Sequence, residues 1–185
     1  MRSIAFLCAL AVAACASAPK APAKAERPVM RVIVVKADDR PITFTVAGAW
    51  APLPSEKGPS NITVLQNLDQ GSSAVAVSYD VAEPGTTVEE QVVKMAMMLL
   101  SGPMLYAVTD VAKPTIVSEE DAFFTFTGED KGVPMATKCR VKLVSGHGES
   151  YWVSIFSVST IADHAAAFKE VDRIADSLKV HPASP

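Results

Sequence analysis

Only two helical segments interrupt a chain that otherwise consists of short strands, and this order limits the possible folds more than any other feature. Alternation of apolar and polar residues, or runs of β-branched residues, predicts nine strands. They span Arg31–Lys36, Ile42–Val46, Ile62–Gln66, Ala74–Val81, Leu105–Thr109, Thr115–Ser118, Ala122–Thr127, Met135–Val144 and Ser150–Val158. Because no regular strand–helix–strand rhythm occurs, the order favours an α+β fold, a mostly antiparallel sheet with two helices packed on it.

The two predicted helices are amphipathic. Thr87 and Glu90 form a capping box before the first, which extends to Leu100 and ends at Ser101-Gly102-Pro103. At about 100° per residue its apolar stripe consists of Val88, Val92, Met95 and Leu99. In the last helix, near 161–178, the inward side chains are Phe168, Val171, Ala175 and Leu178, and the outward ones are Lys169, Arg173 and Asp176.

The N-terminus has the layout of an export signal. Arg2 precedes an apolar core from Ile4 to Val12 that is too short to span a bilayer as a helix. Val12-Ala13-Ala14-Cys15 resembles the lipobox of bacterial lipoproteins, so residues 1–14 are predicted to be removed and Cys15 to be lipidated. The alternative is an ordinary secretory signal cut after Ala18, which would discard Cys15.

Residues 15–28 are rich in Ala, Pro and Lys and are predicted to be a tether between the lipid and a single domain at 29–182. Three acyl chains at Cys15 are what the lipoprotein resemblance implies, and they would anchor the protein permanently in a membrane. Ala16, rather than Asp, follows that cysteine. By analogy with lipoproteins of Gram-negative bacteria, the expected location is the periplasmic face of the outer membrane.

The domain resembles the PsbP/DcrB-like family. A strand that ends in a Gly and Trp motif, Phe44-Thr45-Val46-Ala47-Gly48-Ala49-Trp50, is followed by the capped helix "TTVEEQVVKMAMMLL", a meander of strands and the closing helix "FKEVDRIADSLKV". The resemblance implies the fold and a tendency to bind other proteins, and it transfers no catalytic residue.

No sequence motif predicts a catalytic site, a cofactor or a metal centre. With 17 Lys and Arg against 20 Asp and Glu, the charge balance gives no sign of a nucleic-acid partner. Cys139 alternates with core residues and is predicted to be a buried, inert thiol rather than a reactive one. His147 is predicted at an exposed hairpin tip and His164 in a packed first turn, with metal ligation as the alternative for both. His181 falls in the tail.

Two further groups of residues have side chains that are typical of ligand sites. Met95 and Met97 lie about 200° apart around the helix axis, so they are predicted not to share a copper ion, with Met95 in the core and Met97 on the more polar side. In the strand "ATKCRVKLV", Lys138, Arg140 and Lys142 form a basic stripe opposite the core face. The stripe is either a solvated face or the contact surface for an acidic protein or anionic lipid headgroups.

These observations favour a lipid-anchored periplasmic interaction module that binds or stabilises an envelope protein or assembly and catalyses no reaction. The alternative is a lipoprotein that binds a small ligand or a metal. An enzyme is not expected, because the sequence offers no converging set of titratable groups.

Overall fold

The computed structural model describes residues 31–35, 42–53, 62–69, 71–101 and 106–181. The predicted signal peptide at 1–14, the lipidation site Cys15 and the tether at 15–28 lie outside these ranges. The described ranges form an α+β fold in which two helices pack on antiparallel sheet, so the predicted fold class is confirmed.

The elements follow one another in the predicted order. The strands are β1 (Arg31–Val35), β2 (Ile42–Val46), β3 (Trp50–Pro52), β4 (Ile62–Asn67), β5 (Ala74–Val81), β6 (Ala107–Val111), β7 (Thr115–Ser118), β8 (Asp121–Asp130), β9 (Val133–Gly146), β10 (Glu149–Thr160) and β11 (Lys179–Val180). The helices are α1 (Val88–Ser101), between β5 and β6, and α2 (His164–Ser177), between β10 and β11.

Within the described ranges, the strand pairs are all antiparallel and form two sheets. The large sheet has the order β3-β4-β5-β10-β9-β8-β6, and β7 also pairs with β8. The small sheet has the order β1-β2-β11. The long hairpin of β9 and β10 forms the centre of the large sheet, and its turn contains His147 and Gly148, both at positive φ.

The two helices cover opposite faces of the large sheet. The predicted stripe of α1 is buried and packs with Phe124, Cys139 and Trp152. The buried side chains of α2 pack instead with Tyr151, Val153 and β2. Because successive strand residues point to opposite faces, neighbours such as Tyr151 and Trp152 belong to different cores. Met95 is buried and Met97 is exposed, as predicted.

Two short strands were not predicted. The segment Trp50–Pro52 lies beyond the predicted strand Ile42–Val46, but its backbone pairs with β4, and the indole of Trp50 is buried in the core under α2. Glu170 of α2 supports this corner, because its carboxylate accepts a hydrogen bond from the Ala47 N–H at 2.8 Å. The two-residue strand β11 is too short to show a periodic pattern.

Both edges of the large sheet are irregular. At one edge, β3 has three residues and ends in Pro52, which has no backbone N–H to donate. At the other edge, the pairing of β6 with β8 shifts register between Val108 and Asp110. Opposite β6, Gly128 is required by close approach, since a Cβ atom there would lie 2.1 Å from the Ala107 carbonyl oxygen.

Candidate functional site

The predicted basic stripe lies beneath α2. Its side chains project from β9 on the face opposite Cys139, so the predicted alternation is confirmed. Their expected position on the solvent side is wrong, since the exposed fractions are 12% for Lys138, 13% for Arg140 and 28% for Lys142. The reason is that α2 packs across β9 and places its own carboxylates over the stripe.

The stripe is part of an ion-pair network. Arg140 Nε donates to Asp121 Oδ1 at 2.9 Å, and Arg140 Nη2 donates to Asp121 Oδ2 at 2.7 Å. Lys138 Nζ donates to Asp172 Oδ1 at 2.6 Å, and Lys142 Nζ donates to the Ala175 carbonyl at 3.1 Å. Each cation of the stripe therefore already has a partner on β8 or α2.

The geometry of the network is that of a structural clamp. A fork-to-fork pair between a guanidinium and a carboxylate fixes both groups, and the hydrogen bond with Asp121 raises the pKa of Arg140 above its already high value. Asp121 is only 9% exposed, so its pair with Arg140 joins β8 and β9 through a desolvated contact, while Asp172 of α2, which is 40% exposed, contacts the same guanidinium at 3.1 Å. Binding of a partner by the stripe stays a prediction, while the observed contacts give these cations a role within the fold.

The other residues singled out in the sequence occupy unreactive positions. Cys139 is fully buried, and burial raises the pKa of its thiol far above the usual range. His147 is exposed in the β9–β10 turn, and the ring of His164 packs edge-on against Phe168. Among the described residues, no three His, Cys, Asp or Glu side chains lie together in a way that could hold a metal ion.

The residues at the start of α1 form one wall of a cavity. The predicted capping box is present, since Thr87 Oγ1 accepts from the Glu90 N–H at 3.2 Å and Glu90 Oε2 accepts from the Thr87 N–H at 3.0 Å. These bonds fix the first turn of the helix over β5 and β10. The cavity has a volume of about 470 Å³ and is lined by Asp80, Val81, Glu83, Thr86, Glu90, Gln91, Lys94 and Trp152.

Trp152 lines this cavity with part of an otherwise buried indole. The side chain is 3% exposed, and its Nε1 atom has no hydrogen-bond partner among the described residues. A buried donor without an acceptor costs about 1–3 kcal/mol, and most such groups in folded proteins are paired. Trp152 lies opposite the exposed Asp80 in the pairing of β10 with β5.

The solvent side of α1, next to the cavity, carries exposed apolar side chains among its charged ones. Val93, Met97 and Leu100 are 47%, 66% and 39% exposed. They recur at helical spacing and form a stripe opposite the buried one, which we call the α1 outer stripe. Val81, at the cavity, is also exposed. Exposed apolar patches beside polar residues are typical of surfaces that bind other molecules.

Sequence reasoning missed this cavity. Glu90 and Lys94 were visible as a pair at i and i+4, but this spacing is common on solvated helices. Asp80 and Trp152 come from strands separated by about seventy residues, and only their pairing in the sheet brings them together.

Within the described ranges, no helix has the length and apolar character needed to cross a membrane.

Compared with known proteins, the sequence matches no family model and no curated protein. Solved structures, in contrast, resemble its fold. The Ran-binding protein Mog1p of Saccharomyces cerevisiae superposes with a TM-score of 0.59 at 9% identity, and the match covers 84% of this chain and 97% of Mog1p. A Mog1 mutant gives a TM-score of 0.57 at 10% identity, over 84% of this chain and 97% of that one.

A second similar structure is LpqN of Mycobacterium tuberculosis, a protein involved in cell envelope biogenesis. Its TM-score is 0.43 at 10% identity, and the match covers 83% of this chain and 92% of LpqN. The likeness to Mog1p supports the α+β fold. Membership of the PsbP/DcrB-like family stays a prediction from the sequence.

Proposed function

We propose that this chain is a lipid-anchored protein of a bacterial envelope that binds another envelope protein through α1 and catalyses no reaction. The observation that carries the proposal is the α1 outer stripe beside an open cavity. The side of α2 that faces the sheet is already occupied, because its Asp172 and Asp176 form ion pairs with Lys138 and Arg140 of β9. The likeness to Mog1p, whose name states that it binds Ran, is compatible with a binding role.

The chemistry of the cavity also favours binding over catalysis. Its titratable residues are three carboxylates and one lysine, and no histidine, cysteine or serine lines it. Covalent catalysis needs a nucleophile that is activated by an adjacent base, and among the described residues neither the Thr86 hydroxyl nor the Lys94 amine forms a hydrogen bond with a base. A second candidate function is the binding of a small ligand, which is favoured by a cavity volume within the range of ligand sites, about 300–1,000 Å³.

The binding surface can be tested by site-specific photo-crosslinking in cells. A photoreactive residue replaces Val93 in the α1 outer stripe or, as a matched control on the opposite face, the exposed Lys169 of α2. We expect a discrete adduct from the first position and none from the second. Equal adducts from both helices, or none from position 93, would contradict the proposed surface.

Anchoring is tested separately. The proposal places Cys15 in the membrane through its acyl chains, on the periplasmic face of the outer membrane. Cys15→Ser is expected to move the protein from the membrane fraction to the soluble periplasm, while Cys139→Ser is not. If the Cys15→Ser protein stays with the membrane, the lipid anchor is refuted.

A further inference from the structure

We propose that one end of the domain docks on the lipid bilayer in which Cys15 is anchored, through exposed apolar side chains on three turns. They are Leu68 in the β4–β5 turn, Val133 beside the β8–β9 turn and Ile161 in the β10–α2 turn. We call these three turns the anchor end. The inference rests on the lipid anchor of the proposed function and adds a second membrane contact, which fixes the end of the domain that faces the bilayer.

The three turns are joined by hydrogen bonds. The Ile161 N–H donates to the Pro134 carbonyl at 2.9 Å, which ties the β10–α2 turn to the residue that follows Val133. The Ser72 hydroxyl donates to the Asp163 carboxylate at 2.6 Å, which ties the β4–β5 turn to the β10–α2 turn. The anchor end is therefore one surface of the fold rather than three separate tips.

Large apolar side chains are exposed on this surface. The exposed fractions are 60% for Leu68, 46% for Val133 and 44% for Ile161. Lys131 and Gly132 both have positive φ, as in a type I′ turn, so Val133 is held next to the tip of a tight hairpin. Side chains that a tight turn already holds in place lose little further conformational freedom when they dock. Exposed apolar residues that are grouped in this way mark interaction surfaces.

The position at which the chain enters the fold identifies the bilayer as the occupant. β1 begins at Arg31, which pairs with Val46 at the end of β2. In the β2–β3 turn that follows, the Ala49 carbonyl accepts a hydrogen bond from the Leu68 N–H at 2.7 Å. The chain that leads from Cys15 therefore reaches the domain at the anchor end.

The length of this chain keeps the anchor end close to the membrane. Residues 15–30 span at most about 55 Å when fully extended, at roughly 3.3–3.6 Å per residue. A short tether makes the second contact intramolecular, with an effective concentration on the order of millimolar. A weak contact by three apolar side chains is therefore enough to hold the domain against the surface.

Charge selects the kind of lipid. Asp69, Glu129 and Asp130 outnumber Lys131 at this end of the domain. Carboxylates are repelled by anionic headgroups and attracted by the ammonium group of zwitterionic phosphatidylethanolamine. Because the backbone of a turn has polar groups that need water or headgroups as partners, the turns stay outside the hydrocarbon. The contact is thus interfacial, and only the apolar side chains reach the boundary of the acyl chains.

The test uses the mature protein, purified from membranes with its lipid and reconstituted in vesicles of phosphatidylethanolamine and phosphatidylcholine in equal amounts. An environment-sensitive fluorophore is attached to the cysteine of Leu68→Cys or Ile161→Cys, and Val117→Cys is the matched control. Val117 is 56% exposed in β7, and the pairing of β7 with β8 places it about 30 Å from the β8–β9 turn. Wild type treated with the same reagent gives the background from Cys139.

We expect a blue shift of the emission from positions 68 and 161, together with quenching by lipids that carry a spin label near the headgroup. Neither change is expected at position 117. Equal quenching at the three positions, or none in vesicle-bound protein, would overturn the proposal. Replacing part of the phosphatidylethanolamine by phosphatidylglycerol should weaken the quenching, and stronger quenching would equally contradict the proposed contact.

Matched variants identify the apolar side chains. Leu68→Ser with Ile161→Ser should abolish the quenching of a label attached through Val133→Cys. Ile116→Ser with Val117→Ser makes the same change far from the anchor end and should leave that quenching unchanged. All four replaced side chains are exposed, so the fold is retained. An equal loss with both pairs would show that only overall hydrophobicity matters and would refute the site.

Sedimentation separates this proposal from the proposed function. Protein that does not sediment with the vesicles would refute the lipid anchor and the docking together, whereas sedimentation without quenching would refute the docking alone. A photoreactive residue at position 161 identifies the occupant in cells, where we expect an adduct with phospholipid. A discrete protein adduct from this position would assign the anchor end to a protein partner and overturn the lipid contact.

Discussion

Replacing Arg140 by Met should destabilise the protein far more than the same change at Lys138. Arg140→Met removes both hydrogen bonds to Asp121 and leaves that carboxylate 9% exposed. The nearest remaining cation is Lys142, whose Nζ lies 4.0 Å from Asp121 Oδ2. In Lys138→Met the group that loses a partner is Asp172, which keeps Arg140 Nη1 at 3.1 Å and, being 40% exposed, can be rehydrated.

The expected cost follows from these exposures. Removing one partner of a fully buried ion pair costs about 3–5 kcal/mol. Here Lys142 offsets part of the loss, so we expect about 2–3 kcal/mol of unfolding free energy for Arg140→Met. Lys138→Met should cost about 0.5–1 kcal/mol, as for a pair with a solvated partner.

Equilibrium urea unfolding followed by circular dichroism measures both values. A third protein carries both Asp121→Leu and Arg140→Met, so neither charge of this pair is left buried without its partner. Its loss of unfolding free energy should be smaller than the sum of the losses in the single variants Asp121→Leu and Arg140→Met. The reasoning is refuted if Arg140→Met lowers the unfolding free energy no more than Lys138→Met does. It is also refuted if the losses for Asp121→Leu and Arg140→Met simply add in the double variant. Either result would mean that the network is a solvated surface feature rather than a clamp between α2, β8 and β9.

Three further predictions concern single buried groups. Burial raises the pKa of Glu170 above its ordinary value of 4.5, so its contribution to stability is fully present below that value and is lost as pH rises through the raised pKa. The stability of the wild type relative to Glu170→Gln, measured by urea unfolding from pH 4 to pH 8, should therefore fall as pH rises. A difference in stability that stays constant over this range would contradict the argument. Cys139 is buried with a raised pKa, so Ellman's reagent should modify it only in urea, and rapid labelling of the native protein, located by peptide mass spectrometry, would show that the thiol is accessible. Gly128→Ala should cost about 1–3 kcal/mol because its Cβ meets the backbone of Ala107, whereas a stability within error of wild type would show that β6 moves away freely.

The strands, the helices and their buried sides followed from local patterns. Period-two alternation correctly placed Cys139 on the core side of β9, and helical spacing correctly separated Met95 from Met97. Such patterns show which side of a helix or strand is apolar, because that side must be buried whichever element covers it. They therefore supplied most of the fold class.

The basic stripe shows why the rest could not be predicted. A run such as Lys138, Arg140 and Lys142 has the same sequence pattern whether it faces water or a helix that carries acids. The sequence shows that Asp172 and Asp176 lie on the last helix, but it does not show which face of the sheet that helix covers. The cavity posed the same difficulty, because Trp152 and Glu90 are brought together by a sheet register and a helix position that no local pattern encodes.

The irregular edges of the large sheet limit how copies of this protein can associate. An exposed regular edge offers unpaired backbone groups to any neighbouring strand and is a starting point for fibres. The proline that ends β3 and the shifted pairing of β6 deny such a neighbour a long, straight ladder. Crowding of many copies on one surface should therefore not lead to polymerisation through the large sheet.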